Sequence, residues 1–334
     1  HVDCFLPVGR NSPVLKGMTM SDDTSTASAA AITIARKFVQ SNFGASRTSI
    51  LSENFVCSGP SFITTDVDRY AEGLSKERAS FLRAMPDFDL REYAFSNDIE
   101  DPSIVWVRIR PIGTLTGVFS YKGEVYSPNN RRVELPVQMC SVKVVSGKVA
   151  RLTAGYSVDR LTGNTNGLLG PEGVLSVLGE GPANIETLPV SFAVKKFFSR
   201  NRKPINLESA SSPLPEPVMF GLAKQLFATG FGATEPDLLA PNFQYSEPYE
   251  GILSKDEYVR NYAGKLDFVG SMKSLELNAF NFEVDEYDKN RVWVITRAKG
   301  TLSAPLLLNG KPAGSPGAKY VASPEATSLS FDNN

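Results

Sequence analysis

Histidine is almost absent from this sequence, because the 334 residues include one, at position 1. Catalytic sites of the Ser-His-Asp and Cys-His kinds need an internal imidazole as their base, and zinc sites built from His and Cys need it as a ligand. The sequence therefore excludes these hydrolytic and metal-dependent classes. Neither a metal nor another cofactor is expected.

Cysteine is also scarce, with three residues at Cys4, Cys57 and Cys140. An odd number at wide spacing forms neither a disulfide framework nor a CxxC pair, which indicates a reducing compartment or idle thiols. No stretch approaches the roughly 18 consecutive apolar residues of a membrane-spanning helix. The chain is therefore not expected to be transmembrane.

The sequence also has no large excess of charge of either sign, because it contains 35 basic and 36 acidic residues and its net charge is −1. Such a balance creates no general field that attracts nucleic acid, and no nucleic-acid partner is expected. The remaining composition, 42% hydrophobic and 21% charged, is typical of a globular protein. A chain of this length suits two domains of roughly 100–200 residues.

The first 26 residues are rich in Ser, Thr and Ala, are weakly patterned, and begin with His rather than Met. We interpret residues 1–26 as a flexible segment left after a targeting sequence is removed, as in an organellar protein.

An internal repeat organises the rest of the chain. Residues 35–60 align with residues 223–248 without a gap, at an offset of 188. Matches continue in the same order further on, which predicts a tandem duplication. These later matches pair Leu74-Ser75-Lys76 with Leu253-Ser254-Lys255, Ala94-Phe95 with Ala279-Phe280, Val105-Trp106-Val107 with Val292-Trp293-Val294, and Gly113-Thr114-Leu115 with Gly300-Thr301-Leu302.

Each copy predicts helices followed by long antiparallel strands, an α+β layout. Helices are expected over 27–43 and 217–230, ended by Gly44 and Gly232. Second helices are expected to begin at Ser75 and Ser254, the latter with a capping box to Glu257. Strands are expected around Phe55 and Phe243 and over 104–112, 132–145 and 148–158.

The predicted domains are 27–180 and 217–334, and a Gly/Pro-rich basic linker, 181–216, joins them. The sequence of the second domain shows no counterpart of the last strand of the first, 148–158.

Two segments carry a resemblance to a known family. The segment 251–258, GILSKDEY, followed by strands with a Val-Trp-Val core, resembles the nuclear-transport-factor-2-like superfamily and its SnoaL-like branch. The segment 147–160, GKVARLTAGYSVDR, followed by Gly163-Asn164-Thr165, is similar to members from plastids of photosynthetic eukaryotes. The resemblance implies two tandem cone-shaped domains, each a strongly curved antiparallel sheet wrapped around N-terminal helices. It also implies a chloroplast location.

Catalytic members of this superfamily use a His-Asp or an Asp/Tyr set inside the cone. Without an internal His, the Asp/Tyr type remains, with Asp159 as base and Tyr156 as donor to an oxyanion. The alternative is a turn at Asp159 and a tyrosine at the rim of the sheet.

Two further residue pairs occupy equivalent positions in the repeat. Arg110 and Arg297 are candidates to bind a carboxylate or phosphate, and the alternative is a solvated strand face. Trp106 and Trp293 are interpreted either as core residues or as walls that stack on a small apolar ligand.

Two segments near the predicted linker lack a clear fold. The stretch 163–181 carries six glycines and is interpreted as a flexible lid or tether. The stretch 188–203 mixes phenylalanines with basic residues, which favours either a surface for a protein partner or an anionic membrane, or a helix packed between the two domains. Its candidate contact residues are Lys195, Lys196, Phe197, Phe198, Arg200, Arg202 and Lys203.

Two hypotheses about function follow. The first is a non-catalytic binding or scaffold protein, an accessory subunit of a larger plastid assembly. The alternative is a small-molecule enzyme or carrier of the isomerase/cyclase type that works through Asp159, Tyr156 and Arg110. Metal-free chemistry like that of a carbonic anhydrase is a third, lesser alternative.

Overall fold

The computed structural model describes residues 22–59, 62–180, 213–229, 231–232, 235–247, 251–263, 276–308 and 311–331. The chain divides into two compact units. We call the described residues 22–180 the N-terminal unit and those of 213–331 the C-terminal unit.

The N-terminal unit combines three α-helices with ten strands, which makes it an α+β fold. Its helices are α1 (Asp22–Gln40), α2 (Val67–Ala84) and α3 (Gly170–Leu178). Its strands are β1 (Leu51–Gly59), β2 (Phe62–Thr64), β3 (Glu92–Asn97), β4 (Ile104–Ile109), β5 (Ile112–Thr114), β6 (Phe119–Tyr121), β7 (Glu124–Tyr126), β8 (Arg132–Glu134), β9 (Val137–Val145) and β10 (Lys148–Asp159).

Six of these strands form one sheet in the order β2-β1-β10-β9-β4-β3. Neighbours are antiparallel except β1 and β10, which run parallel, so the expectation of a purely antiparallel sheet is wrong at this pair. The long connection from β1 to β10 provides the crossover that a parallel pair needs. Strands β9 and β10 are joined at Ser146 and Gly147, both with positive φ, as a two-residue hairpin turn requires.

Helix α2 begins at Val67, two turns before the predicted start at Ser75. Asp66 caps it, because its side chain accepts a hydrogen bond from the Arg69 amide at 3.0 Å. Tyr70 and Phe81 are buried on the inner face of this longer helix. The prediction overlooked Asp66, which is as good an N-cap as serine.

Strand β4 ends at Ile109, earlier than the predicted 104–112 strand. Pro111 interrupts the ladder because proline has no amide hydrogen to donate. Side chains on both faces of β4 are buried, Trp106 and Arg108 on one face and Val107 on the other.

Two hydrophobic clusters fill the N-terminal unit. The first packs α1 against the six-stranded sheet around Phe38, Phe55 and Val142. The second, which we call the aromatic cluster, joins α2, α3 and the short strands β6, β7 and β8. Its buried members are Phe81, Ala84, Met85, Phe88, Leu115, Phe119, Val133, Leu135, Val174, Leu175 and Val177.

The aromatic cluster corrects the interpretation of residues 163–181 as a flexible lid or tether. Residues 170–178 form α3, with Pro171 in its first turn and Gly179 at φ +83 as its C-terminal cap. Val174 and Val177 bury its apolar face in the cluster. Burial of this face makes the segment part of the core.

The C-terminal unit is also α+β. Its elements are α4 (Glu216–Ala228), β11 (Gln244–Glu247), β12 (Gly251–Ser254), α5 (Lys255–Ala263), β13 (Glu276–Val284), β14 (Arg291–Thr301), β15 (Leu306–Leu308), β16 (Lys311–Gly314), β17 (Lys319–Val321) and β18 (Glu325–Ser330). Strand β14 pairs antiparallel with β13, β17 and β18. The core packs α4 and α5 around Phe227, Tyr258 and Val294.

Two local predictions are confirmed, one of them in part. The Ser254 amide donates to Glu257 Oε2 at 2.9 Å, and the Glu257 amide lies 3.5 Å from Ser254 Oγ, which is the predicted capping box. Gly44 and Gly232 adopt φ of +82° and +77° four residues after α1 and α4, which end at Gln40 and Ala228, earlier than predicted. Helix α1 also begins at Asp22, so residues 22–26 are helical where the sequence predicted a flexible segment. None of the helices in the described ranges has the length and apolar character needed to cross a membrane.

Candidate active site

Asp159 and Tyr156 lie near the end of β10 and make separate contacts. Asp159 Oδ1 accepts from the Leu161 amide at 3.0 Å, in a tight turn. The Tyr156 side chain is 47% exposed, and its hydroxyl donates to the Gly59 carbonyl at 2.9 Å. The Asp159 contact stabilises the turn after β10, and the Tyr156 contact links β10 to the end of β1.

Trp106 and Trp293 are both buried and make the same kind of contact. The indole Nε1 of Trp106 donates to Asp98 Oδ2 at 3.1 Å, and that of Trp293 donates to Asp285 Oδ2 at 2.8 Å. Both aspartates are 1% exposed. A buried carboxylate needs such donors to offset its lost hydration.

Arg110 lies at the end of β4, where its Nη2 is 3.5 Å from Glu134 Oε2. Arg297 is buried in β14, opposite Asn278 in β13. The predicted contact residues Lys195, Lys196, Phe197, Phe198, Arg200, Arg202 and Lys203 lie outside the described residues.

A different group of polar side chains meets beside the aromatic cluster. Tyr121 in β6 donates its hydroxyl hydrogen to Glu172 Oε1 in the first turn of α3, at 2.5 Å. Glu77 of α2 lies close to the same turn. The distance from Glu77 Oε1 to the position that a Cβ atom would occupy on Gly170, the first residue of α3, is 3.7 Å. The Lys122 ammonium is 4.0 Å from Glu172. We call Glu77, Tyr121 and Glu172 the acid–phenol cluster.

The surroundings of this cluster raise the pKa of two of its members. The Glu77 side chain is largely exposed, but nearby protein atoms desolvate its carboxylate and Glu172 repels it, so its pKa is raised. Desolvation and the bond to Glu172 raise the pKa of Tyr121 as well. Tyr121 therefore stays a phenol at neutral pH.

The aromatic cluster supplies a rigid support for these groups. The Phe119 ring stacks between the rings of Phe81 and Tyr121, with centroids 6.3 Å apart in each pair. The ring of Tyr126 also lies 6.3 Å from Phe119. This packing fixes β6 and so fixes the direction of the Tyr121 hydroxyl toward α3.

Two carboxyl groups and a phenol can move a proton without a metal or an imidazole. A carboxyl that keeps its proton acts as an acid, and a nearby carboxylate acts as a base. Within the part of the chain that the structure describes, no three His, Cys, Asp or Glu side chains lie close enough to hold a metal. The two carboxyl groups and the phenol can carry out acid–base chemistry.

The raised pKa of Glu77 leads to a test. We expect ¹³C NMR titration to place its pKa above the usual 4.5, and to show it lower in Glu172→Gln, where the repelling charge is gone. Because the folded state holds this proton more tightly than the unfolded state, stability falls as pH rises from 4.5 through the folded pKa. Glu77→Gln should remove that part of the pH dependence, and an unchanged profile would contradict the assignment.

Sequence reasoning missed the acid–phenol cluster. Glu77 lies between Lys76 and Arg78 on a helix, a pattern of any solvated surface. Tyr121 and Glu172 belong to a short hairpin and to the glycine-rich stretch. No motif marks these residues, and only their proximity in the fold does.

No protein-family model matches the sequence, and no curated protein matches it in sequence. Several solved structures are similar to part of it. A protein named as a SnoaL-like polyketide cyclase, from Jannaschia sp. CCS1, is 13% identical with a TM-score of 0.32, over 43% of this chain and 93% of that one. A phenazine biosynthesis-related protein from Pseudomonas aeruginosa is 16% identical with a TM-score of 0.32, over 51% and 99%. An LEH-like epoxide hydrolase from M. tuberculosis is 13% identical with a TM-score of 0.28, over 39% and 84%.

The first hypothesis, a non-catalytic scaffold, is wrong. It is contradicted by two of these similar structures, which carry the names of a cyclase and a hydrolase. One of them carries the SnoaL-like name that the sequence resemblance indicated. At such low identity the likeness concerns the fold alone, and so the chemistry is argued from the side chains of this chain.

Proposed function

We propose that the N-terminal unit is a small-molecule enzyme of the isomerase or cyclase type, which moves a proton at a carbon beside a carbonyl group. The observation that carries the proposal is the acid–phenol cluster, in which the Tyr121 hydroxyl holds Glu172 at 2.5 Å next to Glu77. Glu172 with Tyr121 takes the place of Asp159 with Tyr156 in the original hypothesis.

The step that we propose uses one carboxyl group as base and the other as acid. The Glu172 carboxylate takes the proton as the C–H bond beside the carbonyl breaks, and the electron pair moves to the carbonyl oxygen. That oxygen takes the proton of the Glu77 carboxylic acid, giving an enol. The enol then returns its O–H proton to Glu77 while Glu172 delivers its proton to a different carbon of the conjugated enol, or to the opposite face of the same carbon, which completes an isomerisation. If the enol carbon instead attacks a second carbonyl, a C–C bond forms as the π bond of that carbonyl breaks, its oxygen takes the proton held by Glu172, the enol O–H proton returns to Glu77, and the product is a ring.

Hydrogen–deuterium exchange tests this proposal without knowledge of the natural substrate. The purified chain is incubated in D₂O with a panel of small ketones and 1,3-dicarbonyl compounds, and ¹H NMR follows loss of the signal beside the carbonyl. We expect exchange faster than in buffer alone for at least one compound. Removal of the Glu77 acid in Glu77→Gln should slow it.

A matched control for Glu77→Gln lies on the β6–β7 hairpin, which carries Tyr121. Glu124 is an exposed carboxylate in β7, and Glu124→Gln should exchange at the wild-type rate. Exchange at the buffer rate across the whole panel, or equal rates in wild type and Glu77→Gln, would refute the proposal.

We also propose that the two units are tandem copies of one fold. Contacts at matched positions support this. The Tyr70 hydroxyl donates to the Phe43 carbonyl at 2.8 Å, and the Tyr258 hydroxyl donates to the Phe231 carbonyl at 2.8 Å. These pairs are separated by the same offset of 188 that aligns the sequences.

The strand registers support the tandem proposal and revise one match. Trp106 pairs with Ser141 as Trp293 pairs with Ser328. The bulge in β3 contains Ala94 at φ +52, and that in β13 contains Asn281 at φ +52. Ala94 therefore corresponds to Asn281 and not to Ala279.

The cap of α2 revises a second match. Asp66 precedes α2 as Ser254 precedes α5, again at an offset of 188. The residue that corresponds to Ser254 is thus Asp66 and not Ser75. A chloroplast location and a partner or membrane contact through residues 188–203 remain proposals that depend on the sequence alone.

A further inference from the structure

The N-terminal unit has a second polar feature, a cleft of about 390 Å³ that is open to solvent and lined by Arg131, Arg132, Asn164, Ser176 and Val177. We propose that this cleft is a binding site for the carboxylate or phosphate group of a small organic molecule. Its volume lies within the roughly 300–1,000 Å³ of small-molecule sites.

Arg131 brings a positive charge that no acidic side chain neutralises in the part of the chain that the structure describes. Its side chain makes one contact there, from Nη1 to the Val177 carbonyl at 3.4 Å. That contact is long, and it leaves the other guanidinium donors open to the cleft.

Arg132 is held in place by the Glu134 carboxylate, which contacts the Nε of Arg132 and leaves both Nη groups of Arg132 unused. Its Nε donates to Glu134 Oε1 at 2.7 Å, while Arg110 approaches the other oxygen of Glu134. Burial by itself would raise the pKa of Glu134. The charges and hydrogen bonds of Arg132 and Arg110 have the larger effect, so the pKa of Glu134 is lowered. Both Nη groups of Arg132 therefore remain as a fork for an anion.

The charge balance around the cleft favours an anion. Arg110, Arg131 and Arg132 stand against two carboxylates, Glu134 and Asp87. The Asp87 oxygens are taken by the amide and hydroxyl of Thr114, which hold the pKa of that carboxyl below its usual range. Within the described residues, no acidic side chain lies at the guanidinium of Arg131, whose one side-chain contact is the Val177 carbonyl.

The wall of the cleft is rigid before any ligand binds. Asn164 holds one edge of β8 with two hydrogen bonds, since its Nδ2 donates to the Arg132 carbonyl at 2.7 Å and its Oδ1 accepts from the Glu134 amide at 2.9 Å. Gly163 lies so close to β8 that an added Cβ would be 2.3 Å from the Glu134 carbonyl oxygen. A preformed site loses less entropy on binding.

Ser176 and Val177 suggest the rest of the ligand. Ser176 Oγ accepts from Asn166 Nδ2 at 3.0 Å, which leaves its hydroxyl hydrogen to donate to an anion. Val177 adds an apolar surface beside these donors. An oxyanion on an apolar body fits this combination.

The cleft lies one helical turn from the acid–phenol cluster. Ser176 and Glu172 are four residues apart on α3, so they are neighbours on one side of the helix. If the proposed function holds, the anion site anchors the substrate while its carbonyl reaches Glu172. The binding itself does not depend on that function.

NMR titration of the full chain tests the site, with phenyl phosphate and benzoate as probes and benzamide as the neutral control. We expect saturable shifts of the Arg131 and Arg132 Nε–H signals with either anion and none with benzamide. Arg131→Gln and Arg132→Gln should each weaken binding at least tenfold, and Arg132→Lys should weaken it less. Tighter binding of one anion identifies the group that the site prefers.

Two matched variants separate this site from other effects. Arg47→Gln removes an exposed arginine elsewhere in the unit and should bind as wild type does. Glu172→Gln should also bind, whatever it does to proton exchange, so the two proposals can fail separately. Equal affinity in wild type and the Arg131 and Arg132 variants, or equal binding of benzamide, would overturn the inference.

Discussion

Glu172→Gln is expected to slow proton exchange beside a substrate carbonyl by about 10²- to 10⁴-fold, the range seen when a positioned acid or base is removed. Glutamine keeps the size of the side chain and can still accept the Tyr121 hydrogen bond. It cannot take a proton from carbon. The loss should therefore appear in the rate of the chemical step, measured as exchange at saturating probe concentration.

Tyr121→Phe distinguishes positioning from acid–base work. The phenol acts through Glu172, so its loss frees that carboxylate to rotate but leaves the base present. We expect a smaller decrease than for Glu172→Gln. A larger decrease in Tyr121→Phe than in Glu172→Gln would contradict the assignment of Glu172 as the base.

Phe119→Ala is expected to lower the free energy of unfolding of the N-terminal unit by about 3–5 kcal/mol. The Phe119 ring is 1% exposed and lies against Phe81, Tyr121 and Tyr126. Truncation removes buried apolar area and leaves a cavity between α2 and β6. Urea denaturation followed by far-UV circular dichroism measures the change.

The control for this variant is Val125, on the neighbouring strand of the same hairpin. Its side chain is 70% exposed, so Val125→Ala should change the free energy of unfolding by less than about 0.5 kcal/mol. A Phe119→Ala change as small as that of Val125→Ala would mean that the aromatic cluster does not hold the hairpin on α2.

Prediction from sequence succeeded where the cause was local. The Ser254–Glu257 capping box joins groups three residues apart. The turn at Ser146 and Gly147 needs two residues with positive φ, and the dipeptide supplies a glycine. Each of these depends on a few neighbouring residues, and those are visible in the printed chain.

Prediction failed where packing decided the outcome. Residues 163–181 were interpreted as flexible because of their glycines, yet Gly163 is required by the close approach of β8 and Gly179 by the end of α3. The start of α2 was misplaced because serine and aspartate cap equally well. The buried inner face, which includes Tyr70, selects Asp66.

The sequence by itself determined two things about this protein. Its scarcity of histidine limits the available chemistry, and its pattern of helices and strands predicts the α+β layout. The scarcity of histidine removed the imidazole mechanisms and left carboxylates, phenols and guanidinium groups as the available chemistry. Which of these groups act together was decided by the tertiary structure, which sets Glu77 beside Glu172 and brings Arg131 and Arg132 together with Asn164 and Ser176 in an open cleft. The physical reason is that desolvation and the field of neighbouring charges set the protonation state of a side chain. Both depend on distances in the folded chain.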